Sequence, residues 1–124
     1  MVLGIGTDII EIDRIKEAIK RENFMLKCFT EEEILRFPIK KVESIAGNFA
    51  AKESVSKALG TGFVKFDLKD IEILRDDRGK PFVNLYNNAK NEAANKNIKH
   101  IEVSISHCEK YAVAFVVASS GNTI

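Results

Sequence analysis

Alternating apolar positions mark both ends of this chain, and helical spacing marks its middle. From Met1 to Ile12, the residues Val2, Gly4, Gly6, Asp8, Ile10 and Ile12 share one parity. That pattern predicts a strand whose even positions face the interior. A helix should follow, since Ile12, Ile15 and Ile19 recur at helical spacing while Arg14, Lys20 and Arg21 lie off that stripe. Thr30-Glu31-Glu32-Glu33 fits a capping box, opening a short helix that stops near Pro38. A long helix is then predicted from about Val42 to Leu59, ending at Gly60, the residue type that best tolerates a left-handed cap.

The second half reads as two hairpins around a helix. Ile71–Leu74 and Phe82–Leu85 flank the turn-rich run Arg75-Asp76-Asp77-Arg78-Gly79-Lys80-Pro81. A polar helix is expected over Asn88–Lys96. Ile101, Val103 and Ile105 alternate cleanly, and Tyr111–Ala118 is apolar on both faces, as in a central strand. Cys108-Glu109-Lys110 would be the turn between them. Antiparallel hairpins with separate helices indicate an α+β fold, an antiparallel sheet with packed helices. With 124 residues and no linker, repeat or low-complexity tail, one domain covering 1–124 is the expectation.

The long helix contains an anomaly. Glu53 and Lys57 lie roughly 40° apart on a wheel of about 100° per residue. Ala46, Phe49 and Ala50 share their sector, and Ala51, Val55, Ala58 and Leu59 cover much of the rest. Glu followed by Lys four residues on is common on exposed helices, worth a few tenths of a kcal/mol. Here the pair sits instead in an apolar sector of a helix that reads as buried almost all round. An anionic ligand with a metal ion would give both charges partners.

Composition narrows the chemistry. Nineteen basic against eighteen acidic residues leave a net charge of +1, unlike the strongly basic surface of a general nucleic-acid binder. Two cysteines, Cys28 and Cys108, have no second Cys or His at ligand spacing, so neither zinc nor a disulfide framework is indicated. Gly4, Gly6 and Asp8 interrupt the first apolar stretch, and Tyr111–Ala118 is too short to span a bilayer. A cytoplasmic protein with no membrane partner is expected.

Asp8 is the second candidate. Its parity points it inward, although an aspartate at a strand end also serves to cap a following helix. Gly4 and Gly6 leave room for another backbone or a ligand. They are too few for a dinucleotide fingerprint, and no GxxxxGK[ST] occurs. Asp8 and Glu53 together offer two hard oxygen ligands, and Mg²⁺ is commonly held by one or two carboxylates plus substrate phosphates and waters. Lys57 would then neutralise a phosphate as a compact charge. His107 ends the alternating run and could donate to a phosphate, although a strand-end histidine is more often an ordinary turn residue.

Gly4-Ile5-Gly6-Thr7-Asp8-Ile9-Ile10-Glu11-Ile12, the stretch Phe49–Gly62, Gly79-Lys80-Pro81 and Val103-Ser104-Ile105-Ser106-His107 occur here in order. In this the chain resembles the holo-acyl-carrier-protein synthases, the small bacterial 4'-phosphopantetheinyl transferases, over essentially its whole length. The resemblance implies transfer of phosphopantetheine from coenzyme A to a serine of apo acyl carrier protein in fatty acid biosynthesis, with release of adenosine 3',5'-bisphosphate. It implies Asp8 and Glu53 as Mg²⁺ ligands, and Lys57 on a coenzyme A phosphate where charge develops. The serine proton would go to a water held by the metal or to Glu53, with the water favoured because a ligating carboxylate is a poor base.

By the same resemblance, Gly79-Lys80-Pro81 would pass near the adenine and His107 near the 3'-phosphate. The protein would be a homotrimer with active sites at subunit boundaries. Arg14 and Arg21, seven positions apart on one helix face, would dock the acidic carrier with Lys20 or Lys27 nearby. From the residues alone, those arginines read equally as solvated charges balanced by Glu17 and Glu22. Two departures stand out: Asn48 where arginine is usual, which offers a hydrogen bond but no charge to a phosphate, and Ser54 where alanine is commoner. The main alternative is a non-catalytic module binding coenzyme A or another nucleotide diphosphate. A third reading is a structural α+β domain with an ordinary Glu53-Lys57 pair.

Overall fold

A computed structural model describes residues 1–37, 41–60 and 66–121. Strand β1 spans Val2–Glu11, followed by helices α1 (Ile12–Ala18), α2 (Phe24–Cys28), α3 (Glu31–Arg36) and α4 (Val42–Leu59). A 3-10 turn at Leu68–Asp70 leads into β2 (Ile71–Arg75) and β3 (Pro81–Leu85), then α5 (Asn87–Asn95), β4 (His100–His107) and β5 (Tyr111–Ser119). The strands form an antiparallel three-stranded sheet in the order β1-β5-β4 and an antiparallel β2-β3 ribbon. This is the α+β arrangement expected, with β5 central. Pro38 and the Thr61-Gly62 end of the predicted helical stretch lie outside the described residues.

Local chemistry accounts for most of these boundaries. The capping box at Thr30 is complete: Thr30 N–H donates to Glu33 Oε1 at 2.9 Å, and Glu33 N–H donates to Thr30 Oγ1 at 3.2 Å. Gly60 closes α4 in the left-handed region at φ 83°, its N–H reaching back to the carbonyls of Ser56 and Lys57. Helix α1 has no side-chain cap; Ile12 N–H instead donates to Lys110 O at 2.8 Å, so the β4–β5 turn closes its start. The short α2 is not in the expected set. It follows Asn23, at φ 71°, and has no capping side chain for a sequence pattern to reveal.

The central contact is between α4 and the inner face of the sheet. A Cβ placed on Gly6 would lie 1.9 Å from Ser54 O, and one on Gly4 would lie 2.1 Å from Ala58 O. The glycines therefore make room for a helix backbone, not for a ligand. Ala112, Ala114 and Ala118 of β5 are buried on the same side. Ser54, which stands where alanine is commoner, is buried, and its hydroxyl donates to Ala50 O at 2.8 Å and Ala114 O at 3.2 Å. The hydroxyl is thus satisfied at the tightest part of the contact.

The sheet's other face is open. Ile5, Ile9, Tyr111, Val113 and Phe115 are exposed there, with Ile9 opposite Val113 and Glu11 opposite Tyr111 in the ladder. Gly6→Ala is expected to destabilise the protein by about 3 kcal/mol, because the added methyl meets backbone that cannot swing aside. Gly79→Ala, in open space at φ 84°, should lose only about 1 kcal/mol from left-handed strain. Urea unfolding of both variants checks the ranking, and equal losses would contradict it.

Candidate active site

The α4–β1 contact sets the candidate carboxylates. Asp8 lies two residues beyond Gly6 on the same face of β1, and Glu53 immediately precedes Ser54, whose carbonyl abuts Gly6. Both line one cleft, whose walls also carry Arg14 from α1, Phe24 from α2 and Phe49 from α4. Arg21 lines it from the turn after α1, because that helix ends at Ala18 and, contrary to expectation, does not extend to Arg21. Ile15 and Ala18 provide apolar floor. The cleft thus joins the carboxyls of Asp8, Asp13, Glu17 and Glu53 with two guanidiniums and two phenyl rings.

Its electrostatics are unbalanced. Asp8 Oδ1 accepts from Lys57 Nζ at 3.3 Å, but Asp8 Oδ2 is buried without a hydrogen-bond partner. Glu53 can serve that oxygen only as a donor, which requires a proton. Burial, then hydrogen bonding to Asp8 and the repulsion of its charge, push the Glu53 carboxyl up to about 7, against the opposing pull of Lys57 and Arg14. Two apposed carboxyls with one orphaned oxygen are suited to a small divalent cation. Among the described residues, no group of three His, Cys, Asp or Glu side chains could hold a metal, so further ligands would have to come from substrate or water.

Lys57 differs from its expected setting. Its side chain is 56% exposed, and it bridges the strand instead of pairing with Glu53: Nζ donates to Thr7 O at 2.9 Å and to Asp8 Oδ1. Of the apolar sector predicted around Glu53 and Lys57, Ala46 and Ala50 are fully buried, Phe49 and Glu53 are half-buried, and Lys57 is exposed. Glu17 near the end of α1 pairs with Lys20 in the following turn at 2.9 Å, while Arg21 lies 5.8 Å above the Phe24 ring. Arg14 and Arg21 face the cleft, and Glu17 is not their counter-ion.

Other candidates lie elsewhere in the chain. His107 lines a separate depression with Lys16, Glu43 and Cys108. Gly79, Lys80 and Pro81 form the β2–β3 turn, where Asp76 Oδ1 accepts from the backbone N–H of Arg78 at 2.8 Å and of Lys80 at 2.9 Å. Lys80 Nζ pairs with Glu102 of β4 at 3.1 Å, both side chains exposed. Within one chain, Asp8, Glu53, Lys57, Arg14 and Arg21 come together; His107 and the Gly79-Lys80-Pro81 turn do not join them.

A polar network behind the site was not legible as such. Lys52, adjacent to Glu53, is fully buried and pairs with Glu33 at 2.5 Å. Glu33 Oε2 accepts from Ile73 N–H at 3.1 Å and Asn48 Nδ2 at 3.3 Å. Asn48 is buried too, donating to Ile73 O at 3.0 Å and accepting from Arg75 Nη1 at 2.8 Å. The signal available was a lysine inside the apolar run Phe49–Leu59 together with the glutamate of a capping box.

The chain belongs to the 4'-phosphopantetheinyl transferase superfamily, whose family model matches residues 4–116. It is an enzyme of that class, a phosphopantetheinyl transferase. Curated holo-[acyl-carrier-protein] synthases resemble it along nearly their whole length. That of Clostridium novyi (strain NT) is 50% identical, covering 98% of this chain and 91% of the relative. That of Alkaliphilus oremlandii (strain OhILAs) is 53% identical, covering 95% and 99%. Among solved structures, the Helicobacter pylori holo-[acyl-carrier-protein] synthase in complex with coenzyme A superposes with a TM-score of 0.83 at 36% identity, over 93% of this chain and 99% of that one. The Bacillus anthracis holo-(acyl-carrier-protein) synthase in complex with CoA (3',5'-ADP) gives 0.81 at 39% identity, over 98% and 99%.

In the metal-free protein the Glu53 carboxyl is expected to titrate near 7, read by carbon-13 NMR of the side chain. Because this is above its ordinary 4.5, the group's contribution to stability is fully present below 4.5 and is lost as pH rises through about 7. Glu53→Gln should flatten that part of the stability profile. A midpoint below 5 would refute the assignment.

Proposed function

We propose that this enzyme transfers the 4'-phosphopantetheine arm of coenzyme A to a serine hydroxyl of apo acyl carrier protein, in the cytoplasm and for fatty acid biosynthesis. The apposition of Asp8 and Glu53, with an orphaned carboxylate oxygen and Lys57 beside it, carries the reading. The serine oxygen bonds to the phosphorus bearing pantetheine, the bridging P–O bond of the diphosphate breaks, and adenosine 3',5'-bisphosphate leaves. Asp8 and Glu53 would hold Mg²⁺, which when bound neutralises the diphosphate and the charge growing on its leaving oxygen.

Lys57 and the arginines complete the work of the chain's own residues. The Lys57 ammonium is held by weak, exposed contacts and lies within one helical turn of Glu53, so it can turn to a phosphate oxygen. A fixed cation there favours the transition state, in which charge builds on the phosphate oxygens. Glu53 serves as ligand, and the serine proton passes to water at the cleft mouth. Arg14 and Arg21 present two guanidiniums along the rim, suited to an acidic carrier whose serine must enter the cleft.

Assembly as a homotrimer would complete the site. Gly79, Lys80, Pro81 and His107 stand apart from Asp8 and Glu53, while the open apolar face of the sheet can be covered by further copies of the chain. A neighbour's turn and His107 would then meet the adenosine and 3'-phosphate of coenzyme A. Arg75 supplies a guanidinium beside Asn48, so the cation lost by having asparagine there has a candidate replacement.

Incubation of the protein with apo carrier, coenzyme A and Mg²⁺, read by intact mass, is expected to show the carrier gaining one phosphopantetheine; no gain would leave only a binding module. Glu53→Gln should lower turnover at least 100-fold, and Arg14→Glu should raise the KM for carrier with a smaller change in kcat. Undiminished turnover of Glu53→Gln at saturating Mg²⁺ would remove its assigned role. Light scattering is expected to give three chains per particle, with Phe115→Glu yielding inactive monomers. A fully active monomer would exclude shared sites.

A further inference from the structure

The inner flank of α4 carries an ion pair to which the reaction gives no direct use. Lys52 is 0% exposed, and all three of its N–H donors are committed. One meets Glu33 Oε1 at 2.5 Å, one donates to Ile71 O at 2.5 Å and one to Leu68 O at 3.0 Å. The ammonium also stands 5.2 Å from the centre of the Phe29 ring. Glu33 in turn accepts from Thr30 N–H, Ile73 N–H and Asn48 Nδ2. The pair therefore ties α4 to α3, to the 3-10 turn and to β2.

An apolar side chain of similar volume would fill this space with less desolvation. What the charges add is direction. The opposite flank of α4 rests on Gly4 and Gly6, a contact of backbone on backbone that sets spacing, where the hydrogen bonds to the sheet are single ones from Ser54 to Ala114 O and from the exposed Lys57 to Thr7 O and Asp8. Lys52 and Glu53 are consecutive, about 100° apart around the helix. A rotation that carries Glu53 away from Asp8 must also pull Lys52 from its three acceptors.

Resting on the reading of Asp8 and Glu53 as cation ligands, we propose that Lys52, acting through Glu33 and the two carbonyls, is a positioning residue. It fixes the rotation of α4 and so the approach of Glu53 to Asp8. Burial raises the Glu33 carboxyl and lowers the Lys52 ammonium, each offset by the partner's charge, so removing one member alone strands a charge.

The test uses the Lys52→Met/Glu33→Gln double variant, which leaves no unpaired buried charge, with Lys52→Arg as the conservative replacement. Calorimetry with Mg²⁺ in saturating coenzyme A gives cation affinity, and intact mass gives kcat and the KM for carrier. The double variant is expected to lose Mg²⁺ affinity and kcat at least tenfold, with the KM for carrier within twofold because Arg14 and Arg21 are untouched; Lys52→Arg should recover part of both losses. A folded double variant with unchanged Mg²⁺ affinity and kcat overturns the proposal. If the double variant does not fold, Lys52→Gln/Glu33→Gln, which also strands no charge and keeps polar groups at both positions, is held to the same two criteria. Glu53→Gln is measured alongside: unchanged Mg²⁺ binding there overturns the ligand reading first, and with it this inference.

Discussion

The approach of α4 to β1 governs the rest of the molecule. Ser54 O and Ala58 O sit where side chains of β1 would be, so the strand must carry glycine at both positions. The helix also lies over alanines of β5, and Ser54 satisfies its hydroxyl within the contact. This close packing converts a sequence separation of about 45 residues into a carboxyl pair. Asp8 lies two residues from Gly6, and Glu53 is next to the carbonyl that abuts it. A helix held a side chain's width further out would leave two solvated acids without a shared task.

Holding two carboxyls together is unfavourable without a third party. Burial and mutual repulsion both oppose ionisation of Glu53, and Lys57 and Arg14 offset only part of this. The orphaned Asp8 Oδ2 is a further local imbalance. By contrast, the charges on the other side of α4 are closed: each donor of Lys52 has an acceptor, and both oxygens of Glu33 are engaged. The Lys52–Glu33 pair is satisfied, while the Asp8–Glu53 pair is left with an unpartnered oxygen. The same helix can therefore serve as a fixed arm that presents an incomplete site.

The sequence carries some of this plainly and some of it hardly at all. Parity along β1 places Asp8 inward because a strand has only two faces, and Thr30 with Glu33 marks a helix start through backbone amides that need partners. Gly60 and the Arg75–Pro81 turn are similarly local. Helix α2 escapes notice because five residues without a cap leave too little periodicity to read. Lys52 escapes because a Lys-Glu dipeptide in a helix looks solvated until the fold shows α3 and β2 closing over it. The Glu53-Lys57 spacing misleads in the opposite direction. It suggests an intrahelical pair, yet Lys57 reaches across to Thr7 O and Asp8, partners whose nearness only the glycine contact creates. Nor does a single chain's sequence state that His107 and Lys80 stand away from Asp8, which is a property of tertiary arrangement.

Asn48 shows how a departure from an expected pattern changes meaning once its contacts are known. Read as a lost arginine, it leaves a phosphate without a cation. In the structure its amide is the hinge of a network, donating to Ile73 O and Glu33 while its oxygen accepts from Arg75. A guanidinium at position 48 would carry no acceptor atom for Arg75 and would bring a second cation against it. Arg75 and Asn48 are therefore a matched choice: the charge stands on the strand and its acceptor on the helix. Since Asn48 also touches Glu33, the partner of Lys52, the network that orients α4 and the cation beside it are one continuous set of hydrogen bonds.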